Sequence, residues 1–113
     1  MAEYLIYFNQ DWVGDHTAEW FSERGRLARA VIDEMKAAGV YVFAGGLDED
    51  AQAFSADATT GRLVLTDGPF VETKELLAGY VIISSDSLNE ACQWAVPYLN
   101  AVGASEVDVL ELE

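Results

Sequence analysis

The residues best placed to do chemistry fall in one stretch, Thr66–Lys74, reading Thr-Asp-Gly-Pro-Phe-Val-Glu-Thr-Lys. It gathers a carboxylate (Asp67), an aromatic ring (Phe70) and a lysine (Lys74) around a Gly68-Pro69 turn, with Tyr80 a few residues further on. That set suits proton transfer on a small organic acid. Asp67 would be the acid or base, its pKa raised by burial beside Phe70. Lys74 would anchor the substrate's acid group, and Phe70 and Tyr80 would exclude water. An aspartate in such a turn ordinarily bonds the N–H two residues on. Pro69 has none, so that bond is denied to Asp67. Its carboxylate then bonds the Phe70 N–H, reaches another loop, or stays free for a ligand. Each residue also has an architectural reading. Asp67 would brace the turn, Phe70 would fill core, Lys74 would be exposed or salt-bridged, and Tyr80 would pack at a dimer interface. Glu72 and Lys74 are two apart and would not face each other on a helical turn.

The remaining candidates are weaker. His16 is the single histidine and sits in a polar loop; Cys92 is the single cysteine and reads as a small buried hydrophobe on a helix. One histidine with no nearby cysteine gives no zinc pattern. Asp48-Glu49-Asp50 lacks the twelve-residue calcium-loop pattern. Neither a dinucleotide fingerprint nor a phosphate-binding loop is present, and Gly45-Gly46 alone does not make one. We expect no metal and no cofactor.

Charge narrows the function classes further. Twenty acids oppose six bases over 113 residues, a formal net charge of −14. Such a surface repels nucleic-acid backbones and anionic lipid, so neither direct nucleic-acid binding nor membrane binding is expected. An anionic ligand would need a local positive spot. With 51% hydrophobic residues the chain can build a core. No apolar run is long enough to span a bilayer, and no basic segment precedes the first strand, so a cytoplasmic location is expected.

The elements that must position these residues follow from periodicity. Glu3–Asn9, rich in Tyr, Ile and Phe, reads as a strand buried on both faces. From Ala18 to Ala38 the period is helical. Trp20, Leu27, Ala28, Val31, Ile32 and Met35 share one face; Glu23, Arg26, Asp33 and Lys36 share the other; Gly39 ends the helix. Val40–Ala44 is a second strand, closed by a glycine pair that turns the chain or admits another backbone. Ala51–Ala56 and Arg62–Thr66 flank Asp57–Gly61 as a hairpin, and a single helical turn is expected at Glu72–Glu75. Leu77–Ser85 is apolar enough to be central in a sheet. Ser87 and Glu90 form a capping box opening a helix to about Val96, where Pro97 should stop it, with Leu88, Ala91, Cys92 and Ala95 inward. Ser105–Leu112 closes as a strand. The order predicts an α+β fold: a ferredoxin-like sandwich with an added β-hairpin. Two helices cover one sheet face, so a second copy is expected to cover the other as a homodimer.

Thr66–Glu75, followed by Ala78-Gly79-Tyr80, resembles the signature of the DGPF branch of the YCII-related family. Leu5-Ile6-Tyr7, Ala38-Gly39-Val40 leading into Gly45-Gly46-Leu47, and Leu88-Asn89-Glu90-Ala91 with Trp94-Ala95 extend the match along nearly the whole chain. The resemblance implies one domain over residues 1–113 and a dimeric α+β barrel. Some relatives lie beside or are fused to extracytoplasmic-function sigma factors; a more distant one is a dehydrochlorinase, and the fold also hosts muconolactone isomerases and monooxygenases. Two departures stand out. The strand Val107-Asp108-Val109-Leu110-Glu111 lacks the arginine common in the branch. The broader family is associated with a His–Asp pair, whereas His16 does not align with one.

Three functions follow from this reading. The first is a small-molecule-binding or regulatory domain, with a sigma factor as the partner the resemblance implies. The second is a cofactor-free isomerase or lyase using Asp67. The third is a structural partner domain.

Overall fold

The structure, a computed structural model, describes residues 1–47, 54–67 and 77–113. The Asp48-Glu49-Asp50 segment, the helical turn expected at Glu72–Glu75, Phe70 and Lys74 lie outside the described residues, as does the side chain of Asp67.

Among the described residues, six strands and two long helices follow in the order β1 (Ala2–Asn9), a 3₁₀ turn (Gln10–Trp12), α1 (Ala18–Ala37), β2 (Tyr41–Gly46), β3 (Phe54–Asp57), β4 (Val64–Asp67), β5 (Leu77–Ser85), α2 (Leu88–Val102) and β6 (Asp108–Glu111). The main sheet has the order β2-β5-β1-β6 and its pairs are all antiparallel; β3 and β4 form a separate two-stranded hairpin. With the hairpin set aside, this is the ferredoxin-like order. The apolar run of β5 does take a central position, as expected.

Local chemistry sets the element ends. The Thr17 hydroxyl accepts the Trp20 N–H at 3.1 Å to start α1. The far end is a Schellman motif: Gly39 N–H bonds Lys36 O at 3.1 Å, Val40 N–H bonds Met35 O at 3.1 Å, and Gly39 takes φ 76°. The hairpin tip is held by the Asp57 carboxylate, which accepts the Thr59 N–H at 2.8 Å and its hydroxyl at 2.7 Å. Those two bonds hold the Asp57 carboxyl below its ordinary range. Ser87 caps α2 by accepting the Glu90 N–H at 3.1 Å.

The core lies between the helices and one sheet face. Tyr4 and Ile6 of β1 and Val81 and Ile83 of β5 meet Val31 and Met35 of α1 and Ala91, Ala95, Tyr98 and Ala101 of α2. Three expectations are corrected here. First, β1 is fully buried on this face only, and its other side is half-exposed at Leu5 and Tyr7. Second, α2 runs through Pro97 to Val102. A proline inside a helix costs ~3 kcal/mol against alanine. Ending the helix there would unseat Tyr98, whose burial is worth roughly 4–6 kcal/mol from ~150–250 Å² at ~25 cal/mol/Å², so continuation wins. Third, the longer helix sets its own inward stripe. Leu88 stays 53% exposed and Cys92 is exposed rather than buried.

Among the described residues, no helix covers the opposite sheet face. Leu110, Leu5, Ile82 and Phe43 stand in one cross-strand row over the four strands, with Phe43 54% and Leu110 50% exposed.

Candidate functional site

A cleft of about 390 Å³ opens where α1 overhangs the β2 edge of the sheet. Ala28, Arg29, Ile32, Asp33 and Lys36 of α1 line it, with Ala44 and Gly45 of β2, Tyr80 of β5 and Tyr98 of α2. The five α1 residues recur at helical spacing, so they form one flank of that helix. Ala28 and Ile32 are half-buried, whereas Arg29, Asp33 and Lys36 are exposed and form the rim. The Lys36 ammonium sits 5.0 Å from the centre of the Tyr41 ring, a cation–π contact that steadies it.

Gly45 shapes the other wall. It lies opposite Tyr80 in the β2–β5 ladder. A Cβ at Gly45 would stand 3.0 Å from Tyr80 Oη and 3.1 Å from Cζ. The missing side chain therefore lets the Tyr80 ring lie across β2, toward the edge where α1 packs. The same ring meets Phe43 at 6.2 Å between centroids, so Tyr80 borders both the cleft and the open face of the sheet. Of the glycine pair, Gly45 thus admits a ring and not another backbone.

Tyr98 is buried, its ring tilted against Phe8 at 6.0 Å. Burial pushes its phenol well above the ordinary tyrosine range, so it stays neutral. On the open face, the Tyr7 hydroxyl donates to Asp108 at 3.0 Å, and that bond also raises the Tyr7 pKa.

Of the four residues expected at a site, the structure places Tyr80 in the cleft wall. Asp67 closes β4 opposite Phe54, and only its backbone is described. Phe70 and Lys74 lie outside the described residues. His16 is exposed, stacked on Trp20 at 3.6 Å with its Nε2 2.8 Å from Val13 O, away from the cleft-lining residues. Among the described residues, no group of three His, Cys, Asp or Glu side chains is placed to hold a metal. Sequence reasoning missed Arg29, Asp33, Lys36, Ala44 and Tyr98. The spacing i, i+4, i+7 of Arg29, Asp33 and Lys36 marks a flank, but nothing in it says that the flank overhangs a sheet edge.

A profile of the YCII-related domain matches residues 17–113. The chain belongs to the YCII-related family. It is 34% identical over 117 aligned positions to an uncharacterized protein of Rhizobium meliloti, covering 96% of this chain and 90% of that one. Among solved structures it resembles the 5-chloro-2-hydroxyhydroquinone dehydrochlorinase of Burkholderia phenoliruptrix in complex with 2,5-dihydroxybenzoquinone. The TM-score is 0.53 with 15% identity, over 98% of this chain and 93% of the other. At that identity the likeness supports the shared α+β fold. Among the described residues, no helix of this family member is long and apolar enough to cross a membrane.

Proposed function

We propose that this YCII-related chain works as one cytoplasmic small-molecule-binding domain, paired with a second copy through the open sheet face. One observation carries the ligand reading: a cleft of about 390 Å³ that collects two of the chain's six basic residues beside two tyrosines. Its size falls at the lower end of small-molecule sites, which run ~300–1,000 Å³. A screen of one-ring fragments by ligand-observed NMR tests it. Hits that vanish in an Ile32→Trp variant, whose indole fills the cleft, support the reading; hits that persist in a folded variant count against it.

The homodimer rests on the row Leu110, Leu5, Ile82 and Phe43, a contiguous apolar strip on an uncovered face. A sigma factor as regulatory partner rests on the DGPF resemblance, and a pull-down that recovers no such factor removes it from the reading.

A second reading, a cofactor-free isomerase or lyase acting on a small organic acid, draws support from the fold neighbour being a dehydrochlorinase bound to a small quinone. In it Asp67 moves the proton. Asp67→Asn would then abolish turnover with little change in thermal stability, whereas a variant that mainly unfolds assigns Asp67 to the turn.

A further inference from the structure

We propose that the cleft selects a small organic monoanion with an apolar ring, its acid group drawn to the rim by the positive charge of Arg29 and Lys36. This rests on the reading of the cleft as the ligand site. Its walls set the shape of the occupant. Ala28, Ile32 and Ala44 present apolar side chains, Gly45 bare backbone, and Tyr80 and Tyr98 contribute rings. Such a lining suits an apolar body whose ring can stack on the tyrosines.

The rim sets the charge. Arg29 and Lys36 are seven residues apart on α1, about 10 Å along the helix; the Arg29 guanidinium lies back toward Gly25 and the Lys36 ammonium over Tyr41, so they flank the opening at its two ends. A guanidinium can grip a carboxylate with two parallel N–H donors, and the ammonium adds a point charge. Asp33 lies between them on the same flank, so among the described residues two positive charges stand against one negative at the rim. That balance accepts one negative charge on the ligand and disfavours two. The net charge of −14 opposes an incoming anion. Salt screens that charge over the Debye length, ~8 Å at physiological salt. The rim cations act at contact, where screening is slight, so the local attraction decides.

Titrating the ¹⁵N-labelled full chain with benzoate, benzamide and benzylammonium tests this. Benzoate should shift the amides of Ala28, Ile32, Ala44 and Gly45 and bind at least about tenfold tighter than benzamide, with benzylammonium weakest. An Arg29→Gln/Lys36→Gln double variant that keeps the native amide spectrum should lower benzoate affinity to the level benzamide shows with the unsubstituted chain. Equal binding of benzoate and benzamide in the cleft, or undiminished benzoate binding by the double variant, overturns the anion selectivity and leaves the ligand cleft standing. If none of the three compounds moves the cleft amides, both the selectivity and the cleft reading fall.

Discussion

Two glycines on adjacent strands show how much one missing methyl group decides. Gly45 and Gly79 each lie beneath an aromatic ring, but on opposite sheet faces. A Cβ at Gly45 would meet Tyr80 at 3.0 Å, near the free end of a side chain that can swing away. A Cβ at Gly79 would stand 2.8 Å from the Phe8 ring, which packs against the core. Gly45→Ala should therefore leave thermal stability nearly unchanged while displacing Tyr80 and reshaping the cleft, seen as shifted aromatic resonances and weakened fragment binding. Gly79→Ala should lose about 1–3 kcal/mol, the usual cost of overpacking, measured by urea unfolding. Tyr98 gives the pH counterpart. Its folded pKa is raised, so folded and unfolded chains are both protonated below the ordinary tyrosine value of about 10, and its contribution to stability is complete there. Above that pH the unfolded chain ionises first, and stability falls as pH rises. Alkaline denaturation should thus begin near the ordinary tyrosine range and be blunted in Tyr98→Phe. Tyr80 was legible in the sequence as a ring near the signature loop. The cleft's rim was not, because Asp33 and Lys36 read correctly as solvent-facing and only the overhang of α1 turns that face into part of a cleft.

At the scale of elements, capping chemistry was the most legible feature. Gly39 and Ser87 were legible because, like Thr17 and Asp57, which were not read as caps, they act through bonds to N–H or C=O groups within a few residues, and such bonds depend little on the rest of the fold. Pro97 failed as a stop signal because its local cost is opposed by tertiary burial of Tyr98 and Ala101 beyond it. The same error displaced the inward stripe. Of the positions expected inward, Ala91 and Ala95 are buried, Leu88 and Cys92 are exposed, and Tyr98 and Ala101 beyond Val96 complete the stripe. Since Pro97 is opposed by packing and not favoured by it, Pro97→Ala should restore the missing N–H and stabilise the chain by about 1–3 kcal/mol, read as a higher midpoint in urea. A loss of stability instead would mean that α2 needs a bend at this point to seat Tyr98.

The whole molecule is a two-layer slab. Its extents are 47 × 37 × 19 Å and its radius of gyration is 16.0 Å, against ~13 Å for a compact chain of this length. The excess is what a structure with one uncovered sheet face and a separate hairpin should show. The ferredoxin-like order was legible because each strand and helix announces itself by period. The uncovered face was legible by counting layers, since two helices cannot cover both sides. If that face joins two copies, each brings a charge of −14 to the contact. Sedimentation should then show dimerisation tightening as salt rises from low to physiological ionic strength, because screening relieves the repulsion and leaves apolar burial intact. Ile82→Asp, at the middle of the apolar row, should give a folded monomer. A dimer that survives this substitution places the contact elsewhere.

The strand order also has a temporal side. β1 is the first strand made, yet its two neighbours are β5 and β6, and the Leu112 N–H bonds Glu3 O at 2.8 Å. During synthesis both edges of β1 stay unpaired until β5 and β6 have left the ribosome. Closing contacts so distant in sequence is slow, and an unpaired apolar strand is a template for aggregation while it waits. Tyr4, Ile6 and Phe8 thus require early shelter from α1, the one large element available while the later strands are still being made.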